Sequence, residues 1–343
     1  MKIISLWGYA EQNLGDDLFF QTLVKRYPHV HFFQYAHKDY QSQYWQEENV
    51  TILPLWQKSL WLRMPVSYPK RGGKNGAQVI IGGSIFQEDE AWRKNKEHYQ
   101  KIMMTKQPVF IMGSNVGPIK SQSFTQDIKQ IFQSAQAVSL RDKASKDSFN
   151  DLSHVSQAPD LILTRKEKAN LIPNTLGISV IDQGEAYSKT IAKWVKKAVE
   201  AGYKVTLFSF SKKLGDETAI EKILTRLDKK TRDTVECCFY KGNITETLFA
   251  FSQMETMIAT RFHATILGVV FKQKIFSVIY SDKTANVLAE LPHRIPSVRV
   301  EDIEDLSFEE IIKQTQNQDF DWQETKKQAQ VHFQALDQWV KGE

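Results

Sequence analysis

The chain has 343 residues, 41% of them hydrophobic and 25% charged, with no low-complexity tract; this is the composition of a soluble enzyme, long enough for two units of roughly 150 residues. No window approaches the ~20 consecutive apolar residues of a membrane span. The net charge of +5 hides an asymmetry, because from Glu301 onward acids outnumber bases 11 to 4, which leaves a basic body. That body suits an anionic small molecule or an anionic membrane surface; with no helix-turn-helix, zinc-finger or ribonucleoprotein signature, nucleic acid is not an expected partner.

In chain order, short apolar runs alternate with amphipathic stretches. The N-terminus, from Met1 to Gly8, reads as a first strand and not as a signal peptide. Strands are expected over 2–6, 30–35, 78–82, 109–113 and 137–140, then over 176–180, 204–208, 234–240, 256–260 and 275–279. Helical patterns cover 17–27, 125–134, 189–201 and 216–227, and a last one runs from 322 to 340. This alternation predicts parallel sheets with helices on both faces, hence an α/β protein of two doubly wound, Rossmann-like domains facing across a cleft. The expected division is 1–165, 166–315 and a helical tail over 316–343, with the boundary in the charged run 164–174. Cys237 and Cys238 are adjacent and cannot form a long-range staple; they read as buried strand residues in a reducing, cytoplasmic compartment.

The strongest chemical signal is a strand running into Arg261-Phe262-His263-Ala264 and then a small apolar helix. A guanidinium and an imidazole are delivered together to a helix start, where backbone N–H groups and the dipole favour an anion. Earlier, a polar turn through Asn13, Leu14, Gly15, Asp16 and Asp17 leads from the first strand into a helix. Gly15 there suits an unusual backbone angle, and the two carboxylates suit a helix start or a sugar hydroxyl. Gly82-Gly83-Ser84 ends a buried strand and permits close backbone approach, without a dinucleotide fingerprint or a Walker lysine. The run from Gly113 to Pro118 is a similar strand end. Arg141 follows another strand; it either pairs with Asp142 or serves as an anion clamp. Trp56-Gln57-Lys58-Ser59-Leu60-Trp61-Leu62-Arg63, with Lys70-Arg71-Gly72-Gly73-Lys74, reads as a solvated loop or as a lid or membrane contact. The histidines show no metal-ligand spacing, so no metal is expected.

Taken in order, these landmarks resemble the polysaccharide pyruvyl transferase family. The matching pieces are Asn13 to Asp17, Gly82-Gly83-Ser84, Gly113 to Pro118, Ser139-Leu140-Arg141-Asp142 with Ser145, Pro159-Asp160, Arg261-Phe262-His263-Ala264 and Tyr280-Ser281-Asp282-Lys283. The family often has a third glycine where this chain has Ser84, and Asp-Pro where it has Asp160-Leu161. The acidic tail is not covered.

The resemblance implies a glycosyltransferase-B-like pair of domains. It also implies transfer of the enolpyruvyl unit of phosphoenolpyruvate onto two hydroxyls of a sugar, giving a cyclic ketal and phosphate. Arg141, Arg261, Phe262, His263 and Lys283 would then bind the donor, with Arg261 and His263 catalytic and His263 the general acid. Asn13, Gly15, Asp16, Asp17, Gly82, Gly83 and Ser84 would line the acceptor side. No cofactor beyond phosphoenolpyruvate is implied. The expected partner is a sugar or lipid-linked oligosaccharide, met in the cytoplasm or at the inner face of the membrane. A nucleotide-sugar-dependent glycosyltransferase of the same fold and a non-catalytic glycan- or anion-binding module are the competing readings.

Overall fold

The computed structural model describes residues 1–36, 40, 42–54 and 72–342. The aromatic and basic run at 56–63, and Lys70 and Arg71, lie outside the described residues. The chain divides into two compact units. One comprises Met1–Glu11, Asp16–Thr164 and Lys326–Glu343, the other Gln12–Gly15 and Arg165–Thr325. This departs from the expected division at two places: Gln12–Gly15 belongs to the second unit, and the expected tail over 316–343 is divided, with its part up to Thr325 in the second unit and the part from Lys326 in the first.

The first unit holds a seven-stranded, wholly parallel sheet in the order β3-β2-β1-β4-β5-β6-β7. Its strands are β1 (Lys2–Trp7), β2 (Val30–Ala36), β3 (Val50–Pro54), β4 (Gly76–Ile81), β5 (Val109–Ser114), β6 (Ala137–Leu140) and β7 (Val155–Gln157). Between them run α1 (Leu14–Arg26), α2 (Trp92–Met103), α3 (Gln122–Gln133) and α4 (Lys143–Asp147). β4 and β5 are buried along their whole length, as strands covered on both faces must be. An aromatic cluster including Phe86, Phe124, Phe132 and Phe149 fills one side.

The second unit repeats the plan with six parallel strands in the order β10-β9-β8-β11-β12-β13. These are β8 (Ile172–Ser179), β9 (Lys204–Ser209), β10 (Glu236–Phe239), β11 (Met254–Ala259), β12 (Lys274–Ile279) and β13 (Ser297–Arg299). The helices are α5 (Gly184–Glu200), α6 (Asp216–Leu224), α7 (Lys229–Arg232), α8 (Ile244–Ser252), α9 (Phe262–Phe271), α10 (Asp282–Glu290) and α11 (Phe308–Thr315). α9 is buried from Ala264 to Phe271, and Gly268 lets it press against Ile275 of β12, since a Cβ there would come 2.8 Å from that side chain. The expected fold class, α/β with two doubly wound units, is the one observed. In each sheet the strand order reverses once, between β1 and β4 and between β8 and β11. Ligands of doubly wound sheets bind at the carboxyl ends of the strands beside such a reversal.

The long helical pattern from 322 to 340 is broken. α12 (Gln323–Gln328) is followed by a 3-10 turn over Ala329–Phe333 and by α13 (Gln334–Lys341). That turn carries His332 into the first unit. There Nδ1 accepts from the Ser139 hydroxyl at 2.9 Å and Nε2–H donates to the Pro159 carbonyl at 2.9 Å. Only a neutral imidazole can do both, and burial pushes its pKa down to about 4. Further along, the Arg26 guanidinium grips Asp337 through Nε (3.2 Å) and Nη2 (2.7 Å), and the Tyr27 hydroxyl donates to the same carboxylate at 2.6 Å.

Cys237 and Cys238 lie on the edge strand β10 and are half-buried, less enclosed than expected. Burial pushes the Cys238 thiol up to about 11, so it stays protonated at neutral pH.

Candidate active site

In the first unit the expected residues assemble around Arg141, which leaves β6 at 5% exposure. Its guanidinium donates from Nη1 to Asp160 Oδ2 (3.1 Å), and from Nη2 to Ser84 Oγ (3.1 Å) and Asn115 Oδ1 (2.8 Å). Asp160 is fully buried and also accepts from the Ile162 N–H at 2.9 Å; burial lifts its carboxyl above the ordinary range, against the pull of Arg141. The partner of Arg141 is thus Asp160 and not its neighbour. Asp142 instead caps α4, accepting from the Ser145 N–H and hydroxyl, each at 2.8 Å. Gly83 lies close to the guanidinium, since a Cβ there would stand 2.7 Å from Nη1. Gly82 adopts φ +154°, and a Cβ on it would lie 3.8 Å from Asp16 Oδ1, which places that half-buried carboxylate beside the end of β4.

Asp17 departs from the expected role. It is fully buried, and its carboxylate accepts from the Tyr40 hydroxyl, which in turn contacts the Tyr44 hydroxyl at 3.4 Å. Burial and the Asp17 charge hold the Tyr40 hydroxyl well above its ordinary value, so it remains a donor. Of the two acidic residues at the start of α1, Asp16 lies beside the carboxyl end of β4 and Asp17 points into the core.

In the second unit, Arg261 stands at the strand-order reversal. Ser179, the last residue of β8, accepts through Oγ from the backbone N–H groups of Thr260 and Arg261, each at 3.1 Å. This ties the end of β11 to the end of β8. Arg261 is the N-cap residue of α9, and its side chain does not cap that helix. Instead Nε donates to Asp216 Oδ2 at 3.1 Å and Nη2 donates to Asp216 Oδ1. Asp216 is fully buried and opens α6; its Oδ2 also accepts from the N–H groups of Phe210 (2.8 Å) and Ser211 (3.0 Å). Sequence reading missed Asp216, and the only local signal was an acidic residue after Gly215 at a helix start.

Phe262 is buried and meets the half-buried His263 ring edge-on, with centroids 5.2 Å apart. His263 rests against the turn at residues 12–15. There the Gly15 N–H donates to Asn13 Oδ1 at 3.0 Å and the Leu14 N–H donates to the Phe210 carbonyl at 3.0 Å. A Cβ built on Gly15 would overlap the imidazole at Nδ1. The expectation of an unusual backbone angle is therefore corrected: Gly15 is not among the residues of positive φ, and what its position demands is space. Lys283 lies half-buried in the first turn of α10, which Ser281 caps by accepting from the Thr284 N–H at 3.5 Å. Among the described residues no three His, Cys, Asp or Glu side chains come together as a metal site, and no helix is long and apolar enough to cross a membrane.

Two doubly wound sheets, with Arg261 and His263 at a helix start beside the second reversal, define an α/β protein whose candidate site lies at the carboxyl ends of its strands. The chain belongs to the polysaccharide pyruvyl transferase family, whose model matches residues 13–282. It is 22% identical over 246 residues to the amylovoran biosynthesis protein AmsJ of Erwinia amylovora, covering 63% of this chain and 59% of that protein's length. Among solved structures it resembles Anabaena HepE in complex with UDP-glucose, with a TM-score of 0.58, 11% identity and coverage of 100% and 99% of the two chains. It also resembles the UDP-GlcNAc 2-epimerase of Methanocaldococcus jannaschii in complex with UDP-GlcNAc and UDP, with a TM-score of 0.56, 10% identity and coverage of 96% and 99%. At such identities these likenesses establish the fold.

Proposed function

We propose that the protein transfers the enolpyruvyl unit of phosphoenolpyruvate to two hydroxyls of one sugar, in a polysaccharide or its lipid-linked precursor. One hydroxyl adds to the enol carbon as the methylene gains a proton and becomes a methyl group. The second hydroxyl then displaces phosphate and closes the ketal, its proton leaving with the phosphate or a base. The observation that carries this reading is the placement of Arg261 and His263 at the start of α9, within the stretch that matches the family. Arg261 holds the donor anion, the helix N-terminus favours the departing phosphate, and His263 supplies the proton. Phe262 and Lys283 flank these groups as supporting contacts.

In the first unit, Arg141 contributes by holding Ser84 and Asn115, because its hydrogen bonds run to these residues and to Asp160. With Asp16, Gly82 and Gly83 they form the acceptor side of the proposal, while Asn13 and Gly15, in the second unit, serve His263. No metal enters the proposal; the groups offered to the donor are the open edge of Arg261, Lys283 and the start of α9. The reaction is placed in the cytoplasm, with contact at the inner face of the membrane if the acceptor is lipid-linked. Nucleic acid has no part in it.

Phosphate release from phosphoenolpyruvate in the presence of candidate glycosides is the direct test. His263→Ala should still bind phosphoenolpyruvate, yet turn over about 10²–10⁴-fold more slowly, the usual worth of a positioned proton donor. The wild-type rate should decline with rising pH, since only the protonated ring can donate. A variant that keeps turnover and loses donor affinity would remove the acid role. The nucleotide-sugar reading draws on the nucleotide sugars bound in both solved relatives, UDP-glucose in one and UDP-GlcNAc in the other. Sugar transfer from UDP-sugars, with no phosphate released from phosphoenolpyruvate, would replace the present proposal with it.

A further inference from the structure

We propose that Asp216 is the positioning residue of the anion site, fixing which edge of the Arg261 guanidinium a ligand meets; this rests on the donor reading above. A guanidinium offers a side-on edge, made of Nε–H and one Nη2–H, and an end-on edge, made of Nη1–H and the other Nη2–H. Asp216 takes the side-on edge with both carboxylate oxygens. The carboxylate is itself held by the backbone N–H groups of Phe210 and Ser211, at the carboxyl end of β9. The arginine is anchored again at its own backbone, where Ser179 accepts its N–H. A long side chain that would otherwise sample many rotamers is thus fixed at both ends, and its Nη1 makes no hydrogen bond among the described residues.

Two consequences follow for the ligand. The end-on edge can receive a carboxylate or two phosphate oxygens without breaking the pair, so binding does not spend the ordering of the side chain. The pair is also neutral overall, so selectivity rests on the planar hydrogen-bonding edge more than on charge. Asp216 touches no ligand in this arrangement; it acts through Arg261.

The test is a double-mutant cycle on the full chain. Asp216→Asn keeps an oxygen for the Phe210 and Ser211 N–H groups but turns an amide NH₂ toward the guanidinium. Affinity is titrated for phosphoenolpyruvate, inorganic phosphate and UDP separately, with thermal melting alongside. Asp216→Asn should weaken anion binding about 10- to 100-fold, the scale of a hydrogen bond to a charged group. In the Arg261→Ala background the same change should cost no further affinity. A purely structural role would lower the melting temperature and add its effect in both backgrounds. Unchanged affinity in Asp216→Asn, additive losses, or no anion bound by the wild type would each overturn the proposal. Non-additivity seen with UDP and not with phosphoenolpyruvate would uphold Asp216 and remove the donor reading.

Discussion

The His263 imidazole lies against the Cα of Gly15, in a space that a single methyl group would fill. The two residues stand far apart in the chain, and the turn that brings them together is fixed by Asn13 and by the Phe210 carbonyl. Replacing the glycine should therefore move the ring with little effect on the backbone. We expect Gly15→Ala to lower turnover about 10²-fold, the usual effect of an ångström-scale misplacement, while the melting temperature changes little. Steady-state phosphate release decides it, and a wild-type rate in Gly15→Ala would show that the ring needs no such fit.

The Arg141–Asp160 pair should matter first for stability. Arg141→Ala strands a fully buried carboxylate, at a cost of about 3–5 kcal/mol. Removing both charges together, as in Arg141→Met with Asp160→Leu, should recover part of that loss. Urea denaturation of the two variants measures it; equal losses would mean that the charge left behind is tolerated.

His332 predicts an acid-sensitive fold. Its pKa falls from 6.5 to about 4 on folding, so the unfolded chain binds the extra proton between these values. The associated stability is fully present above pH 6.5 and drains away as pH falls toward 4, by about 3 kcal/mol in all. Unfolding free energies measured across this window should show the slope, and His332→Gln should flatten it. A slope that persists in the variant would assign the effect to other groups.

Transfer should also survive exhaustive chelation, because the proposed donor contacts are the open edge of Arg261, Lys283 and the start of α9, with no metal among them. Activity that disappears with a chelator and returns with magnesium or manganese would instead favour a nucleotide-sugar donor.

What could be read in the sequence followed the range of each signal. β4, β5 and β11 announced themselves through continuous apolar runs, and Arg261 to Ala264 through its place between a strand and an apolar helix. β3, β7 and β13 escaped notice because edge strands of three to five residues carry too few buried side chains for a pattern. Asp216 escaped for a different reason. An acidic residue at a helix start is unremarkable, and what distinguishes this one is an arginine from another strand end. Asp17 misled in the same way, since nothing local separates a carboxylate turned toward Tyr40 from one beside the carboxyl end of β4. The need for glycine at position 15 was visible, but its cause was His263 and not the backbone angle.

The return of Lys326–Glu343 to the first unit bears on the order in which the newly made chain can mature. A ribosome finishes β1 to β7 long before it supplies the segment that completes their unit, and the whole second unit emerges in between. Until His332 arrives, Ser139 and the Pro159 carbonyl lack the imidazole that joins them in the finished protein, directly behind the Arg141–Asp160 pair. The second unit, whose main segment is continuous, has no such wait. Nascent chains halted before residue 326 should thus display a protease-resistant second unit beside a first unit that is still digestible, and release of the finished polypeptide should close that window.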